Sequence, residues 1–113
     1  MKRRNPEPAL LGSLEEQVIL AVVRTSPDAY GMNVRREIES VTGRDITIGS
    51  VYATLDRLEA KGLVGSERSG GEDAVSRRVF SITPVGVTSL ELTRDTRDRL
   101  WAGVRGKLRL FDE

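Results

Sequence analysis

A chain of 113 residues holds one domain, able to bury about two-thirds of its unfolded surface around a single core. It contains neither cysteine nor histidine, which excludes disulfides, thiolate and imidazole catalysis and the usual zinc sites. With 18 basic and 17 acidic residues the net charge is only +1, so a nucleic-acid reading must rest on where charge sits.

Residues 1–10 form a basic arm, with Lys2, Arg3 and Arg4 leading into Asn5-Pro6-Glu7-Pro8. No apolar h-region follows, and no apolar run nears the roughly 18 residues that span a bilayer, so a cytoplasmic protein is expected. The arm is read either as a flexible reach towards phosphates or as an untidy terminus. Ser13-Leu14-Glu15-Glu16 has the pattern of a capping box and opens a first helix through Leu14, Val18, Ile19, Val22 and Val23. From Val18 to Val23 that helix is apolar nearly all round. Together with an apolar fraction of 38%, this suggests that a second chain completes part of the core.

Ser26-Pro27-Asp28 ends the first helix. A second is expected from Tyr30-Gly31 to Val41, with Val34, Ile38 and Val41 inward and Asn33, Arg35, Arg36, Glu37 and Glu39 outward. Thr42-Gly43-Arg44-Asp45 is a turn, and Ile46 a candidate single-pair strand residue. The third helix starts after Thr47, a suitable cap, and stops at Gly62, which suits a left-handed residue. Its core stripe is Ile48, Val51, Tyr52, Leu55 and Leu58. The opposite side carries Gly49, Ser50, Ala53, Thr54, Arg57 and Lys61: bare of bulk at first, basic later. A merely solvated helix would show long charged side chains there. A helix that enters a DNA major groove needs small hydrogen-bonding residues near its start, so that its backbone can approach the bases.

Two helices joined by a short turn fit a generic helical hairpin as well as a helix-turn-helix. The segment after Gly62 separates the two. Leu63 to Arg68 and Arg77 to Ile82 read as strands around the polar tip Ser69-Gly70-Gly71-Glu72-Asp73-Ala74. Three helices and a hairpin in this order make a winged helix, with Arg68, Arg77 and Arg78 flanking the tip, where arginine meets phosphates or the minor groove. Thr83-Pro84 caps a last helix expected to reach about Leu110. Val85, Val87 and Leu90 would pack on the body, and a polar stretch runs from Arg94 to Arg99. A second apolar patch, Leu100, Trp101, Val104, Leu108 and Phe111, then needs a partner, supplied most simply by a two-fold contact with another copy. The expected fold is therefore mainly α with a small β-hairpin. It comprises the arm (1–10), a winged helix-turn-helix (11–83) and a long C-terminal dimerisation helix (84–113).

The chain resembles the PadR family of bacterial transcriptional regulators. The marks are Ala29-Tyr30-Gly31, Gly49-Ser50-Val51-Tyr52-Ala53-Thr54-Leu55-Asp56-Arg57-Leu58, Lys61-Gly62-Leu63-Val64 and Arg77-Arg78-Val79-Phe80-Ser81-Ile82-Thr83-Pro84-Val85-Gly86. Val79 stands where the family commonly has an aromatic residue, and the single C-terminal helix resembles the short-tailed branch. The resemblance implies a homodimeric repressor on a palindromic operator, released by a small, often aromatic, effector. By position it puts Ser50, Ala53, Thr54 and Arg57 in the groove, Tyr52 between core and phosphate, and Arg68, Arg77 and Arg78 on the wing.

The expected DNA-binding set is thus Asn33, Thr47, Ser50, Tyr52, Ala53, Thr54, Arg57, Arg68, Arg77 and Arg78. The expected dimer residues are Leu100, Trp101, Val104 and Leu108, and Trp101 is either an interface anchor or a surface on which a flat aromatic ligand stacks. The expected partners are double-stranded operator DNA, a second copy and a small aromatic effector, with no membrane, no cofactor and no metal. Two rivals remain: a winged helix serving protein contacts alone, and a MarR- or ArsR-like regulator. An enzyme is not expected, since the chain lacks a glycine-rich phosphate loop and paired carboxylates in an apolar setting.

Overall fold

The computed structural model describes residues 9–69 and 77–112. The expected basic arm and the polar hairpin tip fall mostly outside that range. In chain order the elements are α1 (Ser13–Thr25), α2 (Gly31–Thr42), α3 (Ile48–Ala60), β1 (Val64–Ser69), β2 (Arg77–Ile82), α4 (Pro84–Trp101) and α5 (Val104–Leu108). A 3-10 turn, Arg109–Phe111, ends the described chain. The protein is mainly helical with one antiparallel hairpin, in which Val64 pairs with Ile82 and Arg68 with Arg78.

The helical rhythm of the sequence becomes one core. Val18, Ile19 and Val22 of α1 meet Val34 and Ile38 of α2 and Val51, Leu55 and Leu58 of α3, and Leu63, Val64 and Phe80 of the hairpin close it. Burying each of these larger side chains stabilises the fold by about 1.5–3 kcal/mol before chain entropy is set against it. The hairpin is tied to the helices by backbone as well: Phe80 N–H donates to Ala29 O at 2.9 Å, and Tyr30 pairs with Val79. The isolated strand pair is therefore made by Tyr30 and not by Ile46, whose N–H is taken by the Glu39 carboxylate at 3.0 Å. That bond holds the Glu39 carboxyl below the usual range.

Two cap assignments need correction. Gly12, not Ser13, is the N-cap of α1, and its N–H donates to Glu15 Oε1 at 3.0 Å. The reciprocal role expected of Glu16 thus belongs to Glu15, one residue earlier, which leaves Glu16 for an ion pair with Arg97. At α3 the expected cap holds: Thr47 Oγ1 accepts from Ser50 N–H at 3.0 Å, and Gly62 adopts φ 77°.

The C-terminal helix differs from expectation in three ways. It docks through Gly86, Ser89 and Thr93 with Leu90 packed against the core as expected, while Val85 and Val87 are exposed, the closest approach falling at Gly86. Thr93 Oγ1 accepts a buried hydrogen bond from Leu11 N–H at 3.0 Å. Its polar middle is not free of the body either, since Arg97 reaches Glu16 of α1. Finally, the helix stops at Trp101: Gly103 takes φ 76°, and Val104 starts a separate short helix. Among the described residues no helix is long and apolar enough to cross a membrane, and no group of three or more acidic side chains is placed to hold a metal ion.

Candidate nucleic-acid interface

The outward edge of α3 is slim, as its composition demands. Gly49, Ser50, Ala53 and Arg57 are exposed, and Ser50 stands in the first turn beside the capping Thr47, whose hydroxyl donates to Ser50 Oγ at 3.0 Å. A helix start of this kind offers unpaired backbone N–H groups and the positive end of the helix dipole to an anion.

Thr54 does not belong to that edge. It is 1% exposed, and its hydroxyl donates to Ser50 O at 2.8 Å, so it cannot read a base as expected. The helical period accounts for this, because Thr54 follows Val51 by three residues and precedes Leu58 by four, inside the core stripe. Its hydroxyl oxygen instead accepts from Arg57 at 3.3 Å. Arg57 also lies 3.8 Å from Glu15, whose carboxylate is engaged by Lys61 at 2.7 Å. The Lys61 hydrogen bond is the main reason the Glu15 carboxyl titrates below its ordinary value; burial opposes it. Arg57 is thus aimed by two neighbours and keeps its guanidinium in solvent.

Beside α3, the N-terminal half of α2 and the hairpin enclose a recess of about 400 Å³, lined by Tyr30, Arg36, Tyr52, Arg68, Arg77 and Arg78 together with Met32. Arg77 stacks on the Tyr30 ring at 4.4 Å. Tyr52, half-buried, stands over Gly31, where a Cβ would come within 2.4 Å of the phenol. Tyr52 is therefore a wall of the recess, and Gly31 is what lets α2 and α3 come together there.

The wing arginines are not equivalent. Arg68 and Arg77 are exposed, without an acidic partner among the described residues. Arg78 is engaged on both sides, at 2.9 Å from Asp56 and 2.7 Å from Glu59, and lies 4.8 Å from the Phe80 ring centre. Its guanidinium is held charged more firmly than usual, first by the hydrogen bond to Asp56. Its expected place as a phosphate contact is thus filled by acids of α3. Asn33 is half-buried and occupied locally: its amide donates to Asp28 O at 2.9 Å.

Sequence reasoning missed Arg36, read only as outward, and the Asp56–Arg78–Glu59 cross-link. Arg36 follows Met32 by one helical turn, which puts both on one face, but which element that face meets depends on how α2 crosses α3.

The expected dimer residues lie apart from this interface. Leu100 and Trp101 are 71% and 54% exposed, Leu108 is also exposed and Val104 half-buried. On the body, Leu20, Val23 and Val41 are exposed too.

Comparison with known proteins agrees with this architecture. A Streptomyces fradiae protein described as an uncharacterized 37.1 kDa protein in transposon TN4556 is 33% identical over 85 residues; the match takes 75% of this chain but 23% of that protein. A PadR-like regulator from Bacillus cereus superposes with a TM-score of 0.69 at 19% identity, covering 84% of this chain and 90% of that one. A PadR family regulator from Eggerthella lenta gives 0.65 at 28% identity, covering 84% and 86%. Bacillus subtilis PadR, solved in complex with operator DNA, gives 0.60 at 12% identity over 71% of this chain and 46% of that one. The family model described as the transcriptional regulator PadR-like family matches residues 19–92, well over half of the chain, and the chain belongs to that family.

Proposed function

We propose that the protein is a sequence-specific DNA-binding regulator, acting in the bacterial cytoplasm as a homodimeric repressor on a palindromic operator. The observation that carries this reading is the exposed edge of α3: Gly49, Ser50 and Ala53 leave its start without bulk, and Arg57 stands one to two turns on. Such an edge admits the helix to a major groove, where Ser50 and Ala53 meet base edges and Arg57 is shaped for a guanine. Thr47 and the first turn of α3 set register on phosphates. That Bacillus subtilis PadR, which shares this fold, was solved in complex with operator DNA supports the DNA-binding reading.

The exposed Leu100, Trp101 and Leu108 and the exposed Leu20 and Val23 of α1 supply apolar surface for a two-fold partner. Two recognition helices would then enter successive major grooves about 34 Å apart. Trp101, left open within one protomer, is the surface on which a flat aromatic effector would stack and shift the dimer towards a different helix spacing.

Selection of bound duplexes from random DNA, with and without planar aromatic compounds, tests the whole reading. It predicts enrichment of an inverted repeat with half-sites one helical turn apart; a pool that stays random would overturn it. On the enriched site Arg57→Ala is expected to cost about 1–3 kcal/mol and to relax one base position. Equal loss on every sequence would make Arg57 a phosphate contact. Trp101→Asp, which places a charge at a position exposed in the protomer, is expected to leave the melting of the body intact. In sedimentation at micromolar concentration the variant should be monomeric; an unchanged dimer would move the interface elsewhere.

A further inference from the structure

We propose that the recess between α2, α3 and the hairpin is a socket for one phosphodiester of the DNA backbone, with Arg36, Arg68 and Arg77 in its lining. This rests on the DNA-binding reading and assigns a site within it. Three observations carry it.

The recess, about 400 Å³, has room for a phosphate with part of its sugar, and its rim joins α2, α3 and the hairpin. Its charge is one-sided. Four arginines line it, and among the described residues Asp56 and Glu59 are both taken up by Arg78. Among the described residues Arg36 makes a weak 3.4 Å contact to the Asn33 amide oxygen, and Arg77 is held on the Tyr30 ring. A guanidinium held in direction by an aromatic ring, as Arg77 is, has little side-chain order to gain on meeting an oxyanion. The two phenols give the site its shape. Tyr30 fixes Arg77, and Tyr52, raised by its contact with Gly31, presents a hydroxyl at the wall.

DNA is favoured over a free anion by position. Tyr52 lies on the same helix as Ser50 and Ala53, so a phosphate in the socket is one flanking the groove that α3 would occupy. α2 thereby becomes part of the DNA contact through Arg36, and the hairpin is held to the duplex through Arg77.

The test is the salt dependence of binding to a duplex of fixed length, using the full chain and the variants Arg36→Ala, Arg68→Ala, Arg77→Ala and all three together. Each phosphate neutralised contributes a slope of about 0.9 in log affinity against log salt. If the three side chains share one phosphate, each single variant loses affinity, yet the triple variant loses a slope of only about 0.9 in total. A loss near three times that value means three separate phosphates and overturns the single socket. No change in slope or affinity, while the parent protein still binds, overturns the socket and leaves the DNA reading standing. A parent protein that binds no duplex overturns both. Arg24→Ala, which removes a positive charge of α1 that is paired with Glu37 and does not line the recess, is the control and should leave the salt slope unchanged. A duplex carrying a neutral methylphosphonate at the flanking position should weaken the parent and not weaken the triple variant further. Equal weakening of both at every flanking phosphate so substituted would overturn the socket.

Discussion

Alanine at Gly86 is expected to destabilise the protein by about 3 kcal/mol, lowering the melting midpoint by roughly 10 °C or more. A Cβ there would lie 2.1 Å from Leu63 O and 2.8 Å from Ile82 Cγ1. Leu63 O is backbone, and it is already fixed by Thr83 N–H at 3.1 Å, while the Thr83 hydroxyl donates to Gly62 O at 2.7 Å and accepts from Gly86 N–H at 3.0 Å. The neighbour cannot yield without breaking the junction, so the helix must move instead. Moving the start of α4 carries Thr93 away from Leu11 N–H, whose buried hydrogen bond would be left without its acceptor. Alanine's better helix propensity, worth about 1 kcal/mol, opposes this and is too small to offset it. Gly106→Ala isolates that propensity, since nothing lies within 4 Å of a Cβ there. Thermal unfolding followed by circular dichroism should show Gly86→Ala well below the parent and Gly106→Ala at or above it. A Gly86→Ala midpoint equal to the parent's would mean that α4 does not sit this close.

The same junction explains what could be read from the sequence. The segments that mark the family are those that touch one another: Thr83 to Gly86 lies on Gly62 and Leu63, Gly31 under Tyr52, and Ala29 and Tyr30 against Phe80 and Val79. Close backbone approaches need particular residues, and particular residues leave a pattern. The helices, the hairpin and the core stripe were legible for the related reason that burial imposes a period.

What was not legible lies across elements. Thr54 resembles an outward residue by type, since a threonine hydroxyl can be satisfied by the carbonyl one turn back and then buried. Arg78 is adjacent to Arg77 and of the same type, yet alternation along the strand sends one to the α3 acids and the other to Tyr30. The end of α4 was overextended because glycines at 103 and 106 are tolerable within a helix. Only the left-handed φ at Gly103 decides that it stops.

Arg78→Ala is expected to weaken DNA binding about 10- to 100-fold, although Arg78 is assigned no contact with DNA. The guanidinium crosses from β2 to α3, bonding Asp56 and Glu59, and Glu59 in turn accepts from Ser66 Oγ of β1 at 2.8 Å. Removing it does two things. It unfastens β2 from α3 and leaves the Ser66–Glu59 bond of β1 to hold the hairpin there, so Arg77 loses its fixed distance from Ser50 and Arg57. It also unmasks two carboxylates next to the proposed path of the phosphates, where like charge repels. The pair is partly exposed, so the effect belongs at or below the lower part of the 2–5 kcal/mol typical of truncating a buried pair, at about 1.4 to 2.8 kcal/mol.

A double substitution, Asp56→Asn with Glu59→Gln, separates this role from a direct phosphate contact. If Arg78 fastens the hairpin, neutralising its partners in the parent background loosens the hairpin and lowers affinity or leaves it level. In the Arg78→Ala background the hairpin is already loose, so the same change only removes repulsion and raises affinity. If Arg78 instead bonds a phosphate, neutralisation helps equally in both backgrounds, because the repulsion it removes does not depend on the strut. Amide hydrogen exchange gives an independent reading. Fastening predicts faster exchange in 64–69 and 77–82 for Arg78→Ala in the absence of DNA, with α1 unchanged, whereas a phosphate contact leaves the free protein's exchange as it was.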